Sequence, residues 1–178
     1  IIDGWLDQAI KLNSPNFNLR PANQDVDLLV IHNISLPPAE FGNNYIEHFF
    51  LNRLPYDEHS YFDQLRGLEV SSHFLIKRSG EIFQFVSCDH RAWHAGQSSF
   101  CGIENCNDFS IGIELEGTDD ISYEAAQYTA LHHLTLAIQG AYPNITSERI
   151  TGHEIISPGR KTDPGPSFNW STYLSALS

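Results

Sequence analysis

Four consecutive apolar residues, Leu28, Leu29, Val30 and Ile31, run directly into His32. A run this short, apolar on both alternating faces, suits a strand buried on both sides of a sheet. His32 then sits at the strand's C-terminal end, where open α/β sheets place their ligands. The neighbouring patterns supply the rest of such a fold. Phe74 to Ile76 and Ile82 to Val86 flank the turn signal Ser79-Gly80 and read as a hairpin. From Ser110 to Glu116, Ile111, Ile113 and Leu115 share one face while Gly112, Glu114 and Glu116 share the other. Ser122 is placed to cap a helix that carries the stripe Tyr128, Leu131, Leu134 and Ile138 and ends near Gly140 and Pro143. Shorter helices are expected over Tyr45 to Asn52 and Trp170 to Leu177. Strands interleaved with helices, plus a hairpin, predict an α/β fold with a central mixed β-sheet flanked by helices.

At 178 residues, without an internal repeat or a Gly/Ser linker, the chain is expected to form one domain over 1–178. A monomer is the expected state. No apolar run approaches the roughly 20 residues that span a bilayer, which sets a membrane role aside. The formal charge of −12 argues against nucleic acid, because the few basic residues are scattered and an acidic surface repels phosphate. Cys88, Cys101 and Cys106 are an odd number in a chain large enough to fold without staples, which favours free thiols and a cytoplasmic location. The first residue is Ile1, so the ends of this sequence do not exclude a removed leader.

Nine histidines raise the question of a metal. A catalytic zinc takes three protein ligands and leaves a fourth position to water. Three residues stand at strand-end or turn positions: His32, His153 in Thr151-Gly152-His153, and Asp163 in Lys161-Thr162-Asp163-Pro164-Gly165-Pro166. The prolines restrict the chain around Asp163, and extended geometry would put Lys161 on the same side, as an oxyanion stabiliser. The plainer alternatives are a hydrogen-bonded structural histidine and an ordinary Asp-Pro-Gly turn. No His-Glu-x-x-His helix is present, so only the fold can bring these residues together. Glu114 and Glu116 are equally placed on the polar face of their strand to serve as a base. Rival chemistry would use Cys106 or Cys101 as a nucleophile with a histidine.

The stretches LLVIHNISLPPAEFG, SSHFLIKRSGEIFQFV, RAWHAGQS, CNDFSIGIELEGTD and TGHEIISPGRKTDPGPSFNW resemble the AmpD branch of the type 2 N-acetylmuramoyl-L-alanine amidases, in that family's order, from about Gly4 to Trp170. The resemblance implies a fold similar to the peptidoglycan recognition proteins, with one catalytic zinc ion in a groove. It implies hydrolysis of the amide between the lactyl group of 1,6-anhydro-N-acetylmuramic acid and L-alanine of the stem peptide. The setting it implies is cytoplasmic peptidoglycan recycling, which in Gram-negative bacteria lowers the fragments that induce a β-lactamase. Carried over by position, the metal ligands fall on His32, His153 and Asp163, and the catalytic pair on Glu114 and Lys161. Asn33, Tyr61 and Trp93 are expected to line the groove and bind the anhydro-muropeptide, and His73 is a candidate partner for a ligand. The chain departs from the pattern at Glu69 and Ile103, where relatives carry arginines suited to clamping stem-peptide carboxylates. Arg66 and Arg91 are the available substitutes.

Overall fold

Ten strands and four α-helices follow one another in the computed structural model, which describes residues 1–177. The strands are β1 (Ile10–Lys11), β2 (Phe17–Leu19), β3 (Leu28–Ile34), β4 (Phe74–Ile76), β5 (Ile82–Gln84), β6 (His90–Ala92), β7 (Ser99–Phe100), β8 (Ile103–Glu104), β9 (Ser110–Glu116) and β10 (Ile150–Gly152). The helices are α1 (Tyr45–Phe50), α2 (Ala125–Ala141), α3 (His153–Ile156) and α4 (Trp170–Ser175). Six strands form the central sheet in the order β1-β5-β4-β9-β3-β10. Only β4 and β5, the two arms of the hairpin, run antiparallel, so the sheet is mixed as the sequence predicts. Two small antiparallel pairs, β2 with β6 and β7 with β8, lie outside it.

Strand β3 explains the layering. Leu28, Leu29, Val30 and Ile31 are all fully buried, and successive side chains point to opposite faces. Leu29 and Ile31 join Ile111, Ile113 and Leu115 of β9 in a cluster with Leu131, Leu134 and Ile138 of α2 and Tyr173 of α4. Leu28 and Val30 turn the other way, onto Ala95, Phe109 and Ile156. A further cluster on Ile46, Phe49 and Phe50 of α1 packs against Phe62, Leu75 and Phe85. Each such aliphatic or aromatic side chain contributes about 1.5–3 kcal/mol on burial, so a strand covered on both faces is anchored twice.

The start of α2 differs from expectation. Glu124, not Ser122, is the N-cap, and Gln127 reaches back so that its Oε1 accepts from the Glu124 N–H at 3.1 Å. Gln127 is itself fully buried and donates to the carbonyls of Ile76 and Glu116, which fastens the helix start to β4 and β9. The first turn thus combines a local capping box, Glu124 with Gln127 three residues on, with tertiary contacts of the same Gln127 side chain. Tyr61 lies in a 3-10 helix over Ser60–Leu65.

Candidate metal centre

Parallel pairing sets His32 of β3 opposite Glu114 of β9, and Gly152, the last residue of β10, opposite Ile31. His153 follows as the first residue of α3, so both imidazoles emerge at the carboxyl edge of neighbouring strands. Asp163 returns in a turn after α3, and its carbonyl accepts from the Glu154 N–H at 3.0 Å. Asp163 and Pro164 sit in a turn. Two clamps hold it: Asn33 donates to the Pro164 carbonyl and to Asp119, and the Tyr123 hydroxyl donates to the same carbonyl at 2.7 Å.

Three atoms converge as a result. His32 Nδ1 lies 2.9 Å from His153 Nδ1 and 3.1 Å from Asp163 Oδ2, and His153 Nδ1 lies 3.0 Å from the same oxygen. The opposite ring nitrogens are already engaged. His153 Nε2 is 3.0 Å from the Ala95 carbonyl, which can only accept, so the proton sits on Nε2 and Nδ1 presents a lone pair. His32 Nε2 is 2.9 Å from His94 Nδ1. Two imidazole nitrogens and a carboxylate oxygen therefore face one another at close range, a donor set that a cation would bring together. Donors set tetrahedrally around one zinc at the usual bond lengths stand about 3.3 Å apart, close to the separations here. The group can hold a metal ion.

The surroundings tune the charges. Burial, with His153 beside it, lowers the His32 pKa to about 4, so the ring is neutral and able to ligate at physiological pH. Burial works to raise the Asp163 carboxyl, but its contacts with His153 and His32 outweigh that and hold it well below the usual range. Glu114 sits with Oε1 4.0 Å from His32 Nδ1, while its buried Oε2 has no hydrogen-bond partner. Burial, and then the Asp163 charge, push Glu114 well upward, with Lys161 pulling the other way. Glu116 has a different role: its carboxylate pairs with buried Lys77 at 3.1 Å and accepts from the backbone N–H groups of Gly42 and Arg78.

These groups open into one cleft of about 390 Å³. His32, His153, Asp163, Glu114, Lys161, Asn33, Tyr61 and Trp93 all line it, and Leu36, Pro38, Leu65, Leu68 and Val70 form an apolar wall. Trp93 is fixed by its Nε1, which donates to Asn18 at 2.9 Å. Asn33 donates to the Pro164 carbonyl in the turn that carries Asp163 and to the Asp119 carboxylate, so this residue also helps to hold a ligand in place.

Other expectations fail. His73 does not touch His32; its Nδ1 accepts from the Gly112 N–H and its Nε2 meets the His90 carbonyl. His94 makes that contact instead, and the sequence offers one sign of it. Gly112 stands on the cleft-facing side of β9 because a Cβ there would lie 2.6 Å from His94 Cγ. Arg66 is paired with Asp57 and Asp63, and Arg91 with Asp108, so neither is a free carboxylate clamp. None of the cysteines lines the cleft, and burial pushes the Cys88 and Cys106 thiols upward, away from a reactive thiolate.

Comparison with known proteins fits this geometry. The sequence pattern of the family described as N-acetylmuramoyl-L-alanine amidase matches residues 22–166. The chain is 52% identical over 176 residues to the 1,6-anhydro-N-acetylmuramyl-L-alanine amidase AmpD of Citrobacter freundii, covering 99% of this chain and 94% of that protein. A crystal structure of a selenomethionine AmpD derivative superposes with a TM-score of 0.97 at 49% identity, over 100% of this chain and 99% of that one. A Pseudomonas aeruginosa AmpDh3 structure in complex with anhydromuramic pentapeptide superposes with a TM-score of 0.65 at 28% identity, over 93% of this chain and 65% of that one.

Proposed function

The chain belongs to the N-acetylmuramoyl-L-alanine amidase family, and from that premise we propose that it cuts the amide between the lactyl group of 1,6-anhydro-N-acetylmuramic acid and L-alanine, using one zinc ion held by His32, His153 and Asp163. The observation that carries the metal is the meeting of three potential donor atoms, two imidazole nitrogens and a carboxylate oxygen, within 3.1 Å of one another. The substrate follows from the relatives, whose names specify the anhydro sugar, and from the complex of a neighbour with an anhydromuramic peptide. When bound, zinc supplies Lewis-acid polarisation of the scissile carbonyl and acidification of the attacking water.

The chain's own groups divide the remaining work. Glu114, with a buried and unpartnered Oε2, accepts the proton of the attacking water and passes it to the departing alanine nitrogen. Lys161 stands exposed on the cleft rim and stabilises the tetrahedral oxyanion, a contact whose loss typically costs about 100- to 1000-fold in rate. Trp93 and Tyr61 offer aromatic faces to the sugar and peptide, and Asn33 supports the Asp163 turn.

The chain acts as a monomer of one amidase domain in cytoplasmic peptidoglycan recycling, where its activity limits the fragments that induce a β-lactamase. In keeping with this, no helix among the described residues is long and apolar enough to cross a membrane. The deciding assay incubates the purified protein with soluble anhydromuropeptide and with polymeric sacculus, each with and without a chelator. Free stem peptide from the soluble substrate, lost on chelation and restored by zinc, is the expected result. Activity that survives chelation but not thiol alkylation would overturn the metal mechanism, and a preference for sacculus would overturn the recycling role.

A further inference from the structure

We propose that His94 is a positioning residue for the metal centre, and that with Ser110 it fixes which nitrogen of His32 faces the ion. The proposal rests on the zinc reading above and adds to it a tautomer relay that begins at a backbone carbonyl.

The relay is read one proton at a time. The Ser110 hydroxyl donates to the Cys106 carbonyl, which can only accept. Its Oγ, 3.2 Å from His94 Nε2, is left to accept, so His94 carries its proton on Nε2. His94 Nδ1 is then a lone pair, and His32 Nε2, 2.9 Å away, must donate to it. That leaves the His32 lone pair on Nδ1, the atom that meets His153 Nδ1 and Asp163 Oδ2. One peptide carbonyl in the turn before β9 thus dictates the ligating tautomer of a residue on β3.

The ring is placed for this task. The Asn107 side-chain oxygen accepts from the backbone N–H groups of both His94 and Ala95, pinning the chain on either side of the imidazole. Gly112 clears the space the ring occupies. The Ala95 carbonyl that accepts from His153 Nε2 belongs to the next residue along, so one short segment orients both histidine ligands. Partners of this kind typically change metal affinity about 10- to 100-fold when removed.

The test measures zinc binding by the full chain, by competition with a chromophoric chelator, for the parent, His94→Leu and His94→Asn. Asn keeps an acceptor oxygen near the place of Nδ1, and Leu fills space without one. The expected result is a 10- to 100-fold weaker affinity for His94→Leu, a perturbed visible spectrum of its cobalt-loaded form, and recovery of most of both in His94→Asn. Thermal midpoints of the metal-free proteins separate this from misfolding. If His94→Leu binds zinc within twofold of the parent, the positioning role is wrong. If Leu and Asn weaken binding equally while lowering the metal-free midpoint alike, the residue only fills space and the proposal falls. If the parent itself binds no zinc, the metal reading fails first and takes this inference with it.

Discussion

Two carboxylates on one strand, two residues apart, meet opposite fates. Both Glu114 and Glu116 point to the same side of β9, and the alternation of the sequence cannot separate them. Depth along the sheet does: Glu114 faces His32 across the parallel ladder, while Glu116 reaches Lys77 and the N–H groups of Gly42 and Arg78. The two substitutions should therefore split cleanly. Glu114→Gln is expected to retain zinc and lose roughly 100- to 10,000-fold in turnover, the usual weight of a proton-transfer group, checked by metal analysis beside the rate. Glu116→Ala leaves two backbone donors without acceptors and should cost roughly 1–3 kcal/mol of stability or more, read from urea midpoints, with zinc affinity near that of the parent. A Glu114→Gln protein with near-normal rates would move the base elsewhere.

At the scale of elements, what could be read from the sequence was what is local. Strand β3 is marked by its continuous apolar run, the β4–β5 hairpin by its turn residues, and β9 and α2 by periods of 2 and 3.6 over seven or more residues, all of which survive without knowledge of neighbours. Leu131, buried in the stripe of α2 against β3 and β9, shows how much such a pattern is worth: Leu131→Ala should destabilise by about 2–5 kcal/mol. A loss under about 1 kcal/mol in the chemical denaturation midpoint would mean the helix is not anchored there. The parts that sequence left dark are those decided across the chain. The attachment of the α2 start to two strands through the Gln127 amide is one of these. The metal group was legible as residue types at strand ends and turns, and the resemblance fixed which ones. The contact between His94 and His32 was not, because it joins a strand to a loop and leaves only the bare Gly112 as its trace.

Across the whole molecule, buried imidazoles govern the response to acid. Burial lowers His32 to about 4 and His73 to about 3, and it drives His94 well below its ordinary value. Between about pH 6.5 and 4 the unfolded chain takes up protons at these sites and the folded one does not, so stability falls as pH falls. Each group contributes up to about 1.4 kcal/mol per pH unit in that window. Glu114, raised by burial, has the opposite sign above its ordinary range, but it is one group against three. Urea midpoints of the metal-free protein should thus drop from pH 7 to pH 5, and a flat profile would contradict the burial of these rings. Zinc at about 100 times its dissociation constant should add about 2.7 kcal/mol, visible as a rise of roughly 5–10 °C in Tm.

The doubly clamped turn at Pro164 has a consequence for how the ion is acquired. With Asn33 and Tyr123 holding that carbonyl, and with β3 sealed on both faces, protein contacts alone are expected to hold the seat of the ion in shape. Loading then resembles a key entering a cut lock more than a chain condensing around its metal, as zinc fingers do. Amide hydrogen exchange along β3 and β9 should accordingly stay slow in demetallated protein, with faster exchange confined to the 161–165 segment. Wholesale loss of protection in those strands would mean that the ion helps to build its own seat.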